Sequence, residues 1–308
     1  MAKQRSRVAD YAVYVVVRVF VCVIQAVPYS WASQFAIALA WVVERVDKRH
    51  SRVARDNLRH AFPDRYAQVN PDREVSAVYR HFCGLLIEIM HLPRMLNHLT
   101  WRRHIALPNG QMLVGALTSG RPLLLLTGHF GNWELGGFAL GLLGFKTYAI
   151  ARPLDNPYLD AFLRRFRERT GQGILAKHGD FDQMKKILAG GGVLGTLGDQ
   201  DAGRKGLFVD FFGRPASTHK AVALLALQYN VPLAVVGVRK VGEPIRYVNH
   251  CEEIIDPKEY QGRPDAVAAI TQRFTSALER LVRMAPEQYF WLHRRWKHEP
   301  PKSRRAAA

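Results

Sequence analysis

The chain has 308 residues, of which 48% are hydrophobic, and 44 lysines and arginines outnumber 26 aspartates and glutamates to give a net charge of +18. This hydrophobic content supports a sizeable core and excludes a disordered basic tail protein, and the length fits two domains or one large one. Cys22, Cys83 and Cys251 form no CxxC or CxxH cluster, so we expect neither a disulfide scaffold nor a cysteine-ligated zinc site. The charge predicts an anionic partner, and nucleic acid, a membrane surface and acidic substrates are the candidates.

Two apolar segments predict a hydrophobic membrane anchor at residues 1–48. Residues 11–27 would form a helix of about 25 Å, short of the ~30 Å hydrocarbon core of a bilayer, and Arg18 lies near its middle. A second segment, residues 31–43, carries two tryptophans suited to a membrane interface. Basic residues flank the pair on both sides, so the charge asymmetry of a single span is missing. We predict an embedded or membrane-lying anchor, with a true span and packing on the protein core as alternatives.

The rest of the chain predicts an α/β architecture preceded by helices. Residues 49–120 predict a helical lead-in, because apolar residues recur every three to four positions. Residues 121–298 alternate short apolar runs with amphipathic stretches, which predicts an α/β core with a mixed, largely parallel central sheet flanked by helices. The predicted strands are 122–128, 146–150, 192–197, 207–211, 231–238 and 245–254, and the predicted helices are 157–170, 180–188, 218–229 and 264–284. Residues 299–308 form a basic tail.

The most informative segment is LTGHFGNWE at residues 126–134, where a predicted strand turns into a helix. Catalytic groups of α/β proteins often lie at such strand ends, and the two glycines allow a sharp turn and close approach of a substrate. Glu134 follows His129 by five residues, a spacing that can return the carboxylate to the imidazole. A carboxylate on one ring nitrogen fixes the tautomer and leaves the other free to accept a proton. We therefore predict His129 as a general base oriented by Glu134, whereas His178 and His293 are predicted to be structural.

This segment resembles the HX4D/E motif of glycerolipid acyltransferases, in the form typical of bacterial lipid A biosynthesis acyltransferases. Further blocks resemble that family in the same order along residues 10–298. They are NLRHAFP at 57–63, ARPLDNP at 151–157, an arginine-rich helix ending in glycine at 164–171, GDQD at 198–201, FFGRPA at 211–216 and YFWLHRRWK at 289–297. Gly198 departs from the family's PDQD pattern, and STHK at 217–220 stands where many lipid A enzymes have a threonine run.

The resemblance implies an O-acyltransferase of the cytoplasmic face of the inner membrane. It would move a fatty acyl chain from an acyl thioester, acyl-acyl carrier protein in preference to acyl-CoA, to a hydroxyl of a lipid A precursor or similar anionic glycolipid. No metal or other cofactor is implied. His129 would deprotonate the hydroxyl during direct attack on the thioester, since no serine or cysteine nucleophile lies at this turn.

Several further residues are candidates for contacts with the substrate. Arginine suits phosphate and carboxylate groups, and backbone amides near residues 131–132 or an arginine are candidates for stabilising the oxyanion. The alternative for the arginines is a solvated helix face, and for the aspartates it is a metal site. We interpret the aspartates instead as groups that orient arginines. The predicted substrate-binding residues are Asn132, Arg152, Arg164, Arg167, Asp199 and Asp201.

Three other functions are weighed against this prediction. A phospholipid or phosphatidylinositol-mannoside acyltransferase using acyl-CoA belongs to the same enzyme class. A non-catalytic, basic membrane-binding protein belongs to a different one, and the intact pair of His129 and Glu134 argues against it. Nucleic-acid binding is not expected, because the sequence has no zinc-finger spacing and no RRM aromatic signature.

Overall fold

The computed structural model describes residues 6–108, 110–176 and 180–301, so His178 and most of the basic tail lie outside the described residues. The helices are α1 (Arg7–Ala26), α2 (Tyr29–Val46), α3 (Lys48–Ala61), α4 (Pro63–Tyr66), α5 (Asp72–Met95), α6 (Trp101–His104), α7 (Gly110–Thr118), α8 (Trp133–Leu142), α9 (Pro157–Glu168), α10 (Phe181–Ala189), α11 (Ala221–Tyr229) and α12 (Ala266–Met284). The strands are β1 (Ile105–Ala106), β2 (Leu123–Thr127), β3 (Thr147–Ala151), β4 (Gly173–Ala176), β5 (Val193–Leu197), β6 (Leu207–Phe211), β7 (Arg214–Thr218), β8 (Leu233–Gly242) and β9 (Arg246–Ile255).

The central sheet has seven strands in the order β1-β9-β8-β2-β5-β3-β4. Its neighbours run parallel except for β8 and β9, which pair antiparallel, so the predicted mixed and largely parallel sheet is confirmed. Strand β2 lies at the centre, and its residues Leu123, Leu124, Leu125 and Leu126 are all buried. A parallel strand covered on both faces has no polar side, which explains its continuous apolar run.

The structure contains three short strands that were not predicted from the sequence. Strand β6 forms a two-stranded antiparallel sheet with β7, and β7 was not predicted, so the helix expected from residue 218 begins at Ala221. Strands β4 and β1 were also missed, and β1 lies inside the predicted helical lead-in. These strands contain two to five residues, too few for an alternating pattern to show in the sequence.

The N-terminal helices lie along the body of the protein. Near one end of α1 the Asn156 side chain donates to the Asp10 carbonyl, and near the other end Gln25 donates to the Met90 carbonyl. Helix α2 buries three alanines, Ala32, Ala36 and Ala40, in the main core. The boundary predicted at residue 48, between the anchor and the acyltransferase domain, therefore falls between helices α2 and α3, which share one apolar cluster. Helix α1 is about 30 Å long, longer than predicted, and it is the one helix of the described chain with the length and hydropathy to cross a membrane.

The opposite face of these two helices is apolar and exposed. We call it the apolar face. It consists of Val8, Tyr11, Val13, Val15, Val16, Val19, Phe20 and Val23 of α1 and Trp31, Phe35, Ile37, Trp41, Val42 and Val46 of α2. Phe20 and Phe35 join the two helices, with ring centroids 6.2 Å apart, and so many exposed apolar side chains mark an interaction surface rather than the ordinary exterior of a soluble protein.

Candidate active site

The turn after β2 is held by backbone hydrogen bonds to two other segments of the chain, and we call this set of bonds the clamp. The Gly131 amide donates to the Gln288 carbonyl at 2.9 Å, and the Asn132 amide donates to the Val238 carbonyl at 2.8 Å. The Phe290 amide in turn donates to the His129 carbonyl at 3.0 Å. Strand β8 and the C-terminal segment therefore fix the backbone that carries the imidazole.

Asp199 holds the imidazole of His129. One carboxylate oxygen of Asp199 lies 2.9 Å from Nδ1, and the other accepts the His129 backbone amide at 2.8 Å. The two side chains meet because β2 and β5 pair in parallel, which brings the residues after Thr127 and after Leu197 to the same edge of the sheet. Gly128 permits this approach, since a Cβ there would lie 3.2 Å from the Asp199 side chain.

The electrostatics of the pair favour a charged carboxylate. Burial alone would lower the pKa of His129, but the charge and hydrogen bond of Asp199, with the charge of Glu134, raise it above its usual value. Burial would raise the pKa of Asp199, and the interactions with His129 outweigh this and lower it. The Asp199 side chain is only 3% exposed, so its buried carboxylate needs hydrogen bonds, and the ring and backbone amide of His129 supply two of them.

The other ring nitrogen of His129 remains able to accept a proton. With Nδ1–H donating to Asp199, Nε2 is the unprotonated nitrogen, and the side-chain amide of Gln200 lies 3.5 Å from it. The rings of Trp133 and Phe290 flank the imidazole, with centroids 5.1 and 6.0 Å from its own. The arrangement can therefore take a proton from a hydroxyl group in a partly apolar setting.

The comparison with known proteins agrees with this chemistry. The sequence profile described as bacterial lipid A biosynthesis acyltransferase matches residues 1–298. The chain belongs to this family. It is therefore an acyltransferase, as predicted.

Curated relatives of this acyltransferase cover most of its length. It is 27% identical to the lipid A biosynthesis lauroyltransferase of Escherichia coli (strain K12), over 89% of this chain and 87% of the relative. The same identity relates it to the lipid A biosynthesis palmitoleoyltransferase of that strain, over 82% and 80%. A phosphatidylinositol mannoside acyltransferase of Mycobacterium tuberculosis (strain H37Rv) is 24% identical, over 89% and 92%.

Glu134 has a different partner from the predicted one. Arg167 on α9 binds both of its carboxylate oxygens, from Nε at 2.9 Å and from a terminal nitrogen at 2.5 Å. The prediction that Glu134 hydrogen-bonds and orients His129 is wrong in this structure, and Asp199 has that position. In the acyltransferase, Glu134 instead joins the first turn of α8 to α9 and adds a negative charge near His129.

The predicted arginine and asparagine contacts are also engaged within the protein. Arg167 is half of the pair with Glu134, and Arg164 donates to Asp160 at 2.8 Å. Arg152 is 83% exposed and lies 3.4 Å from Asp155. Asn132 is fully buried and caps α8, its side-chain oxygen accepting the Leu135 amide.

The backbone amides predicted as oxyanion donors are engaged as well. The amides of residues 131 and 132 donate to carbonyl oxygens of the clamp, so they are not available to an oxyanion.

The two aspartates of the GDQD block do not orient arginines by direct ion pairs in the described chain. Asp199 binds His129, and Asp201 lies 2.8 Å from Nδ1 of His298. The Asp201 amide donates to Nε2 of His293 at 3.0 Å, and the structural role predicted for His293 stays a prediction. The role of Asp199 was missed because sequence spacing shows acids near His129 along the chain, not those on the neighbouring strand.

Proposed function

We propose that this acyltransferase transfers a fatty acyl chain from acyl-acyl carrier protein to a hydroxyl of a lipid A precursor or similar anionic glycolipid, with His129 as general base. The hydrogen bond from Nδ1 of His129 to Asp199 carries this proposal, because it leaves Nε2 facing the site as an acceptor. Relatives whose names specify lipid A lauroyl and palmitoleoyl transfer support the acceptor and the acyl group. Neither a metal nor another cofactor enters the proposed reaction.

The proposed mechanism is direct transfer. Nε2 of His129 takes the proton of the acceptor hydroxyl while that oxygen attacks the thioester carbonyl, forming a tetrahedral oxyanion. The intermediate collapses with loss of the thiolate, which receives the proton from the imidazolium, and Asp199 stabilises that cation throughout. The Gln200 amide lies beside Nε2 and has no other hydrogen bond among the described residues, so we assign it to the oxyanion. Glu134 acts through the position of α8.

A basic surface tied to the C-terminal segment supports the proposed donor. A cavity of about 500 Å³ has four cations and one carboxylate, Asp56, among its lining residues, and the cations are Lys48, Arg49, Arg52 and Arg294. Asn57 of α3 donates to the carbonyls of Trp291 and His293, which ties this surface to the C-terminal segment beside His129. An acidic carrier protein suits such a surface by charge complementarity, and so do the phosphates of CoA, so the preference for the carrier protein rests on the resemblance to the lipid A enzymes.

The test is transfer by wild-type protein and His129→Ala with acyl carrier protein and CoA thioesters offered in parallel. Loss of the base should reduce kcat by about 10²–10⁴-fold with either donor, because general-base catalysis contributes that much. Wild-type protein should use the carrier-protein thioester at the higher kcat/KM. Near-wild-type transfer by His129→Ala would contradict the assigned base. Product from every sample equal to that of a control without protein would favour the non-catalytic alternative.

The second candidate is a phosphatidylinositol-mannoside acyltransferase that uses acyl-CoA. The similarity to the mycobacterial enzyme over 89% of the chain favours keeping it. Offering both glycolipid acceptors in the same assay separates the two, since only the preferred acceptor should saturate with a low KM.

The apolar face supports an anchor that lies in the surface of a membrane. We propose that this is the inner membrane and that the catalytic domain lies on its cytoplasmic side. Contacts at both ends of α1 hold it along the domain, and Arg18 stacks on Phe162 between them, so α1 cannot cross a bilayer unless these contacts break. Basic residues around it add electrostatic attraction to anionic lipids.

Depth measurements along α1 distinguish lying from spanning. Spin labels at Cys22, Val8→Cys and Val15→Cys, the latter two in Cys22→Ser protein, report three exposed positions of one helix. In anionic vesicles a lying helix should give one depth of about 5–10 Å for all three labels. A steady change of depth from residue 8 to residue 22 would instead establish a span.

A further inference from the structure

Two of the three arginines of helix α9 are paired within the protein. Arg164 and Arg167 each bind a carboxylate, which leaves Arg165 as the arginine of this helix without an acidic partner among the described residues, so most of the positive charge that a phosphate group needs must come from elsewhere. A groove between α2 and α5 meets this requirement. It consists of two open cavities of about 460 and 650 Å³, and both are lined by Ile37 and Arg80.

The first cavity is basic. Four cationic side chains line it, and Glu44, the one carboxylate among its lining residues, accepts the hydroxyl of Ser76 at 2.7 Å. The cations are Arg45, Lys48, Arg55 and Arg80. Arg55 is paired with Asp72, whereas Lys48 and Arg80 have no acidic partner within the part of the chain that the structure describes. Their charges are therefore available to a ligand.

The groove borders the apolar face. Trp41 lines the first cavity, is 57% exposed and carries the Arg45 guanidinium over its ring at 3.6 Å from the centroid. Val42 and Val46 are exposed on the same helix. Cations beside an exposed apolar helix suit a lipid whose anionic headgroup stays in water while its chains remain in the membrane.

The other end of the groove reaches the catalytic turn. His81, next to Arg80 on α5, lines the second cavity and donates from Nε2 to the Gly131 carbonyl at 3.2 Å. Burial lowers the pKa of His81 to about 4, so this side chain is neutral and adds no charge to the cavity. Lys240 is bound by Glu88 and Glu243, which leaves Arg80 as the unpaired cation shared by both cavities.

We propose that the groove between α2 and α5 binds a phosphate group of the acceptor glycolipid at Arg80 and Lys48. The chains of the lipid remain against the apolar face, and its sugar lies toward the turn that carries His129. This assignment rests on the proposed acyl transfer to a glycolipid, and it names the subsite that the paired arginines of α9 do not supply.

The test compares a phosphorylated lipid A precursor with the same glycolipid after phosphatase treatment, in mixed micelles. Arg80→Ala should raise the acceptor KM about tenfold for the phosphorylated lipid and little for the dephosphorylated one, because a hydrogen bond to a charged group is lost. Arg80→Lys should restore part of the preference. Arg73→Ala, an exposed arginine of the same helix outside both cavities, is the matched control and should behave as wild type.

Binding in an inactive protein keeps this test independent of catalysis. In His129→Ala protein, the added substitution Arg80→Ala should weaken binding of the phosphorylated lipid about tenfold. Inorganic phosphate should bind to His129→Ala protein much more weakly than the lipid does. The phosphate subsite would be overturned if Arg80→Ala kept the preference for the phosphorylated lipid, or if Arg73→Ala weakened binding as much as Arg80→Ala. Either result would leave the proposed acyl transfer intact. Binding of inorganic phosphate as tight as the lipid would overturn the lipid assignment.

Discussion

Asp199→Asn is expected to lower kcat by about 10²–10⁴-fold with little change in the fold. The asparagine amide can present a donor where the carboxylate accepted the Nδ1 proton, which favours the tautomer with Nε2 protonated and unable to act as a base. The measurement is steady-state transfer at saturating donor and acceptor, with thermal unfolding to show that the variant is folded.

The pH profile gives a second readout of the same pair. With neutral His129 as the proposed base, kcat should fall as the pH drops through the pKa that Asp199 raises. In Asp199→Asn that charge is gone while burial, which lowers the pKa, remains, so the acidic limb of the residual activity should move to lower pH. A substitution of Glu134, the partner that the sequence predicted for His129, supplies the control. Glu134→Gln keeps the bond to Asp199 and should move the limb less, and a larger shift in Glu134→Gln would return the orienting role to that residue.

Gly131→Ala is expected to destabilise the protein by about 3 kcal/mol or more and to lower kcat at least about 100-fold. Gly131 has φ of 57°, and a Cβ there would lie 1.8 Å from the Val238 carbonyl oxygen. That oxygen accepts the Asn132 amide, so relief of the clash displaces the turn that positions His129. A displacement of about 1 Å in the base is enough for a loss of this size.

Gly144→Ala separates strain from the clash. Gly144 also has positive φ, at 90°, but a Cβ there would lie more than 4 Å from every described atom outside its two neighbours in the chain. The substitution should cost only about 1–2 kcal/mol of backbone strain and leave kcat unchanged. The two variants are compared by denaturant unfolding and by kcat, and equal effects would remove the clamp as the reason that residue 131 is glycine.

The sequence predicted the site as far as local spacing allows. The apolar strand, the glycines of the turn and His129 are all local signals, and each lies where the structure requires it. The Asp199 carboxylate reaches His129 only through the parallel pairing of β2 with β5, which no sequence spacing reveals. Glu134 has the spacing to turn back toward the imidazole, but Arg167 from α9 binds it more favourably because both carboxylate oxygens are satisfied at once.

The fold shows the same division between local and distant information. Buried strands such as β2 and long amphipathic helices such as α12 follow from periodicity, whereas β1 exists because the longer strand β9 pairs with it, and β7 because it pairs with β6, a strand of the same length. The apolar character of α1 was evident, but its orientation depends on contacts with Asn156 and Met90, far along the chain.

The clamp on the catalytic turn also sets an order of events in synthesis. Two of its hydrogen bonds use the Gln288 carbonyl and the Phe290 amide. The turn therefore cannot be fixed until the ribosome has released nearly the whole described chain. The apolar helices α1 and α2 leave the ribosome first, and at about 5–20 residues per second they precede the clamp by many seconds. The apolar helices of a nascent chain therefore have time to reach a lipid surface before the turn that carries His129 is in place.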